Sequence, residues 1–181
     1  MTTIGDKVVD ANSTGRPANS EAADSDAPSV SLVMSVLMTP DMANFAGNVH
    51  GGALLRLLDQ VAYACATRYA RSYVVTLSVD RVIFRTPVHV GELVTFSASV
   101  NYTGRTSMEV GIRIDAENIE SGSRRHANSS YFTMVAMDST GLACPVPPLT
   151  PKTEVARQRY ESARRRRAAF RSIGPHQNPP V

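Results

Sequence analysis

Between Asn44 and Gly52 the chain reads Asn-Phe-Ala-Gly-Asn-Val-His-Gly-Gly, and the carboxylate of Asp59 follows seven residues after the second glycine of the pair. Amide donors beside glycines, a histidine and an acid are the groups that polarise a carbonyl and activate water. Glycines at a helix start let a ligand approach the backbone closely, and the first turn presents unpaired N–H groups bearing the positive end of the helix dipole. Such a pole attracts a developing oxyanion. Hydrolysing a thioester needs donors aimed at the carbonyl oxygen, and a carboxylate that either activates water or attacks the carbonyl itself. Asn44 and the Gly51 and Gly52 amides are the candidate donors, and Asp59 is the candidate base or nucleophile. His50, at the helix start, is expected to position neighbouring groups rather than carry a proton.

Those residues need elements to hold them. Ser31 to Met38 is a short apolar run stopped by Thr39-Pro40, of the length of a strand. From Ala53 to about Arg71 the chain is made of good helix formers without a proline, which predicts one helix. Leu54, Leu55, Leu57, Leu58, Val61, Ala62, Ala64, Cys65 and Ala66 surround nearly all of it with apolar surface, as expected for a helix buried on most sides. Only a narrow stripe is polar: Arg56, Asp59, Gln60, Tyr63 and Thr67. Strand-like segments then run from Tyr73 to Phe84, Glu92 to Tyr102, Ser107 to Ala116 and Arg125 to Met137, several with apolar and polar residues in alternation. A nearly all-apolar helix is hidden by its own chain only if a sheet curls around it, so an α+β fold is expected, an antiparallel sheet wrapped around a long central helix.

The rest of the chain bounds the reading. With 181 residues, 43% hydrophobic and 19% charged, it suits one globular domain with a real core. Residues 1–29 are polar and poor in apolar side chains, which predicts a disordered leader. Its acids argue against a mitochondrial transit peptide. Residues 30–143 form the expected domain, and 144–181 a proline-rich linker, a basic helix from Glu154 to Arg171 and a flexible tail. The basic helix carries Arg164, Arg165, Arg166 and Arg167 in succession. No apolar run approaches the ~20 residues of a membrane-spanning helix, so no membrane insertion and a cytoplasmic location are expected. Cys65 and Cys144 read as free thiols, and Cys65, nearly opposite Asp59 on the helix, as core. No histidine or cysteine stands at metal-ligand spacing from His50, so neither metal nor cofactor is expected.

Helix geometry adds a demand. At a rise of ~1.5 Å per residue, Gly52 and Asp59 lie about 10 Å apart, too far to grip one carbonyl. Two copies of the helix packed antiparallel about a two-fold axis would bring Asp59 of one to the helix start of the other, which predicts an obligate dimer with two composite sites.

The run Asn44 to Gly52 with Asp59 resembles the hotdog-fold acyl-CoA thioesterases, and its wording is similar to the cytosolic long-chain acyl-CoA hydrolases and their bacterial relatives. The similarity extends through Gly104-Arg105-Thr106-Ser107-Met108-Glu109-Val110 to Arg159-Tyr160-Glu161. The resemblance implies that Asn44 and the Gly52 amide polarise the thioester carbonyl, that Asp59 is base or nucleophile, and that Arg105, Thr106 and Ser107 lie near the CoA moiety. It also implies a homo-oligomer, a trimer of hotdog dimers. Where the animal enzymes divide the Asn and Asp between two hotdog halves, this chain keeps both. For such a substrate, Arg164 and Arg165 are candidate partners of the CoA phosphates, through bidentate hydrogen bonds. Two other functions compete. A hotdog hydratase or dehydratase would use His50 with Asp59, but nine residues separate them and favour no shared helix face. A non-catalytic acyl-CoA sensor or a nucleic-acid binder would use the arginines, yet no recognition motif or interleaved aromatics accompany them, so no nucleic-acid partner is expected.

Overall fold

The computed structural model describes residues 30–172 apart from 81 and 85; the leader and the final tail expected from sequence lie outside the described residues. In chain order the elements are β1 (Ser31–Leu37), a single 3-10 turn (Pro40–Met42), α1 (Gly51–Ala70), β2 (Tyr73–Val79), β3 (Glu92–Thr103), β4 (Ser107–Asn118), β5 (Arg124–Met137) and α2 (Glu154–Ser172). The strands form one five-stranded sheet in the order β1-β3-β4-β5-β2, every neighbouring pair antiparallel. This is the hotdog arrangement. It agrees with the α+β fold expected from the patterning.

Alternation along the strands decides which face holds α1. Val94, Phe96, Ala98 and Val100 of β3, Met108, Val110, Ile112 and Ile114 of β4, and Phe132, Met134 and Ala136 of β5 are all buried, and they meet Leu54, Leu57, Leu58, Val61, Ala62, Cys65, Ala66 and Tyr69 of α1 in one core. Burying each large side chain contributes roughly 1.5–3 kcal/mol, so this layer is the main source of stability. The helix is less enclosed than its sequence suggests. Gly52, Leu55, Arg56, Asp59, Gln60 and Tyr63 are exposed, because a five-stranded sheet covers only one side of a helix. At its end Arg71 takes a left-handed conformation (φ 53°) and its N–H bonds the Thr67 carbonyl, which lets the chain turn straight into β2.

Two departures from the expected elements have physical causes. β2 stops at Val79 rather than reaching Phe84, and the segment after it leaves the sheet to cover the start of α1, where the Phe84 ring packs against Gly51. The proline-rich segment is packed onto the domain and does not hang free. Cys144 N–H donates to the Ala136 carbonyl, Val146 N–H to the Arg105 carbonyl, and Tyr69 Oη to the Pro147 carbonyl, while Val146 joins the core. Prolines suit such an edge run because the backbone donors they lack are not needed there.

α2 lies across the opposite face. Ser107 and Glu109 alternate with the inward Met108 and Val110, and it is these outward residues that Arg167 and Arg166 reach. Arg166 donates to Glu109 at 2.6 Å and stacks 3.7 Å from the Tyr131 ring centre, and Ala163 is fully buried beneath the helix. A Cβ at Gly111 nearby would fall 2.2 Å from Asn101 Nδ2, so a larger residue there must displace the Asn101 side chain.

One further ion pair closes the end of the sheet. Arg125 at the start of β5 reaches past β4 and grips both carboxylate oxygens of Glu92 at the start of β3. The guanidinium hydrogen bonds hold the buried Glu92 carboxyl below its ordinary value of 4.5. A carboxyl with a lowered folded-state pKa adds stability that is complete above its unfolded value and is lost as pH falls through the folded one. Arg125→Met therefore moves the onset of acid unfolding to higher pH, measurable by circular dichroism across the range below about pH 5; an acid limb identical to wild type would count against a contribution from this pair.

Candidate active site

The loop before α1 is tied so that one functional group is left over. Asn44 Oδ1 accepts from the N–H groups of Ala46 (2.9 Å) and Asn48 (3.1 Å), and the Asn44 N–H and carbonyl bond Asn48 and Gly47. Gly47 turns the loop with φ 78°, a conformation that costs glycine little. With Oδ1 occupied, Nδ2 is the free end of the carboxamide; among the described residues no acceptor bonds it. A donor held this way is suited to meet a carbonyl oxygen arriving from outside.

His50 is the N-cap of α1, in an extended conformation, with its own N–H bonded to the Met42 carbonyl. Its Nδ1 accepts from Gly52 N–H at 2.9 Å, which puts the ring proton on Nε2. The Gly52 amide, one of the two helix-start donors expected from sequence and the one the family resemblance implies, is thus already engaged within the chain. The Gly51 amide, next to it, has no acceptor among the described residues. Gly51 and Gly52 keep the approach open, with Phe84 on one side and the His50 ring on the other.

Asp59 lies two turns along the same face, because seven residues return within ~20° of the starting direction. Its Oδ1 accepts from Thr76 Oγ1 at 2.7 Å, and Thr76 Oγ1 also lies 3.6 Å from Met134 Sδ. Thr76 immediately precedes a β-bulge, where the register against β5 slips between Thr76 and Ser78. The sequence carries little sign of Thr76, which stands in a strand of ordinary β formers. Its only signal is a hydroxyl on the inward, otherwise apolar side of β2.

The remaining sequence candidates divide. Arg105 and Thr106 form the β3–β4 turn, where their carbonyls hold Val146 and Ala136, and the Arg105 side chain is exposed. Ser107 is buried and accepts from Arg167. Arg164 is exposed and pairs with Glu161 on its own helix, and Arg165 is exposed too. Neither has a hydrogen bond or ion pair to the sheet among the described residues. Of the four consecutive arginines, Arg166 and Arg167 are bonded to it, beside a cavity of about 200 Å³ lined by Leu77, Ser78, Tyr102 and Ser107. In one copy of the chain, then, the structure gathers Asn44, His50, Gly51 and Gly52 at the helix start, with Asp59 and Thr76 farther along the face.

The family model for the thioesterase superfamily matches residues 46–123. Protein VdlD of Helicobacter pylori is 53% identical over 136 residues, covering 75% of this chain and 78% of that protein. The cytosolic acyl coenzyme A thioester hydrolase of Homo sapiens is 34% identical over 132 residues, which are 72% of this chain but 35% of the human one. Among solved structures, an apo hexameric acyl-CoA thioesterase matches with a TM-score of 0.77 at 35% identity, covering 81% of this chain and 94% of the other. The acyl-CoA hydrolase of Staphylococcus aureus, solved with butyryl coenzyme A, coenzyme A and coenzyme A disulfide, matches with a TM-score of 0.73 at 31% identity, over 79% of this chain and 88% of that one. The fold and these matches define a hotdog protein. The chain belongs to the thioesterase superfamily.

Solved variants of the Staphylococcus enzyme replace an asparagine, an aspartate and a threonine by alanine, at positions 15 and 17 residues apart in turn. Asn44, Asp59 and Thr76 are separated by the same 15 and 17 residues.

Cys65 is a nucleophile in name only. It is buried in the core, and burial pushes its thiol up to about 11. Iodoacetamide at pH 7.5 is expected to leave Cys65 unmodified in the folded protein and to alkylate it after denaturation, read by mass spectrometry; modification of Cys65 at the rate of a free thiol would contradict the burial.

Proposed function

We propose that this chain hydrolyses acyl-CoA thioesters to the free acid and CoA, in sites completed by a second copy of itself. The observation that carries the reading is the Asp59–Thr76 hydrogen bond on the exposed face of α1, in line with the Asn44 loop and the glycine pair. The shared spacing with the Staphylococcus variants supports it.

Helix geometry supports a second copy. Asp59 and the helix start are about 10 Å apart along one axis, and antiparallel packing of two α1 helices removes that gap. The face that would be covered is unusually apolar for a free surface: Phe45 is fully exposed, and Leu55, Tyr63 and Tyr73, whose ring meets that of Tyr63 edge-on, are exposed with it. β2 is an edge strand with one side unpaired, a second route by which two copies could join. The hexameric relative supports an assembly of such dimers, three to a particle.

In the composite site the thioester carbonyl oxygen takes donors from Asn44 Nδ2 and a helix-start amide. Gly51 N–H is available directly, and Gly52 N–H becomes available when the His50 ring swings off it. Asp59 of the other copy, held by Thr76, activates a water for attack on the carbonyl carbon or attacks it directly. The tetrahedral intermediate is stabilised by the same donors and collapses with loss of the CoA thiolate; when water attacks, Asp59 takes the water proton and passes it to the thiolate, and when Asp59 attacks, water then hydrolyses the acyl-Asp59 anhydride to the free acid and its proton goes to the thiolate. Arg105, Thr106 and Ser107 are the proposed CoA contacts, and Arg166 and Arg167 are better placed than Arg164 and Arg165 to add charge beside them. The hydratase reading loses ground because His50 serves as the cap of α1 and no carboxylate bonds its ring among the described residues. No helix among the described residues is long and apolar enough to cross a membrane, and a cytoplasmic location suits the proposed activity.

The test is release of free thiol from acyl-CoAs of rising chain length. Asp59→Ala and Asn44→Ala are each expected to lower kcat by about 100-fold or more, since loss of a general base or of one oxyanion donor costs that much. Wild type is expected to sediment as a dimer or a multiple of it. Undiminished hydrolysis by Asp59→Ala, or a fully active monomer, overturns the composite site.

A further inference from the structure

Asn44 polarises a carbonyl only if its amide nitrogen keeps one direction, and that direction is set by what holds Oδ1 and by the loop that carries it. Asn48 sets both. Its N–H donates to Asn44 Oδ1 at 3.1 Å, and its carbonyl accepts the Asn44 N–H at 2.7 Å. Asn48 is in turn fixed from outside the loop. Its Oδ1 accepts from His89 Nδ1 at 2.8 Å, the two residues form a β-bridge, and beside them Val49 N–H donates to the Val88 carbonyl at 2.8 Å. His89 N–H donates to Glu92 Oε2 at 2.8 Å. Arg125 closes the series from β5, holding both Glu92 oxygens and the Pro87 carbonyl, the last at 2.6 Å.

We infer that Arg125, Glu92, His89 and Asn48 are positioning residues that clamp the Asn44 loop to the sheet, so that the carbonyl-polarising donor is aimed before substrate arrives. The inference rests on the thioesterase reading of Asn44. Two features argue for a directional device rather than a packing one. Glu92 is 5% exposed, and a buried carboxylate held bidentately by a guanidinium contributes geometry more reliably than stability. The His89 side chain is exposed, so it adds little to the core, yet its ring donates to Asn48. The Asn48 Oδ1 is an acceptor only, so the ring donates through Nδ1–H.

The experiment is thiol-release kinetics and thermal melting for His89→Ala, His89→Gln and Glu92→Gln, with His89→Ala repeated in an Asn44→Ala background. His89→Ala is expected to lower kcat about tenfold, as loss of orientation does, while KM and the melting temperature stay near wild type. His89→Gln restores most of the rate, because its amide can donate to Asn48 in place of the ring. Glu92→Gln lowers kcat and melting temperature together. In the Asn44→Ala background His89→Ala costs nothing further, the sign that one acts through the other. An unchanged kcat for His89→Ala overturns the clamp, as does an equal cost with and without the Asn44 side chain. Full activity in Asn44→Ala itself removes the site assignment and the clamp together, whereas an impaired Asn44→Ala beside a silent His89→Ala removes the clamp alone.

Discussion

A long helix that is apolar on all but one narrow stripe can be covered by its own chain on one side only. Here the inward faces of β3, β4 and β5 take Leu58, Val61, Ala62, Cys65 and Ala66 out of water, and the other side of α1 stays open with Leu55 and Tyr63 upon it. The same open side carries the glycine pair and Asp59. Under the proposed function, catalysis and association become one problem: whatever hides the apolar residues also meets the carboxylate and the helix start.

The polar groups on that face are aimed by contacts beneath them. Asn44 gives its oxygen to two loop amides, leaving its nitrogen free. Asp59 gives one oxygen to Thr76, leaving the other free among the described residues. His50 closes the first turn of the helix through Gly52. Each group is half engaged by the fold, and the unengaged half is what a substrate can use. Preorganisation of this kind matters because a dipole already oriented costs no rearrangement when charge develops.

The back of the sheet answers a different need. Arg166 over Tyr131 and against Glu109, with Arg167 on Ser107, seats α2 on strands whose outward residues would otherwise face solvent. A buried carboxylate such as Glu109 would be costly without its guanidinium, so helix and strand depend on each other. The proline-rich segment that leads to α2 completes this layer by hydrogen bonds to Ala136, Arg105 and Thr103.

Much of this was legible in the chain itself. Alternation in 92–102 and 107–116 and the greasy helix determined the α+β fold and its core, because a period of two or of 3.6 leaves few ways to hide apolar side chains. The run from Asn44 to Gly52 with Asp59 marks the candidate site because those residue types suit carbonyl polarisation at a helix start and because the run resembles that of the hotdog thioesterases. What only the tertiary structure decided are the contacts between residues far apart in sequence. Thr76 on Asp59, His89 on Asn48, Arg125 on Glu92, and the choice of Arg166 and Arg167 over Arg164 and Arg165 depend on strand register, the bulge after Thr76 and the seating of α2. Local pattern states which face a side chain occupies. It carries no information on which distant strand lies opposite, because that pairing is chosen by the packing of the whole sheet.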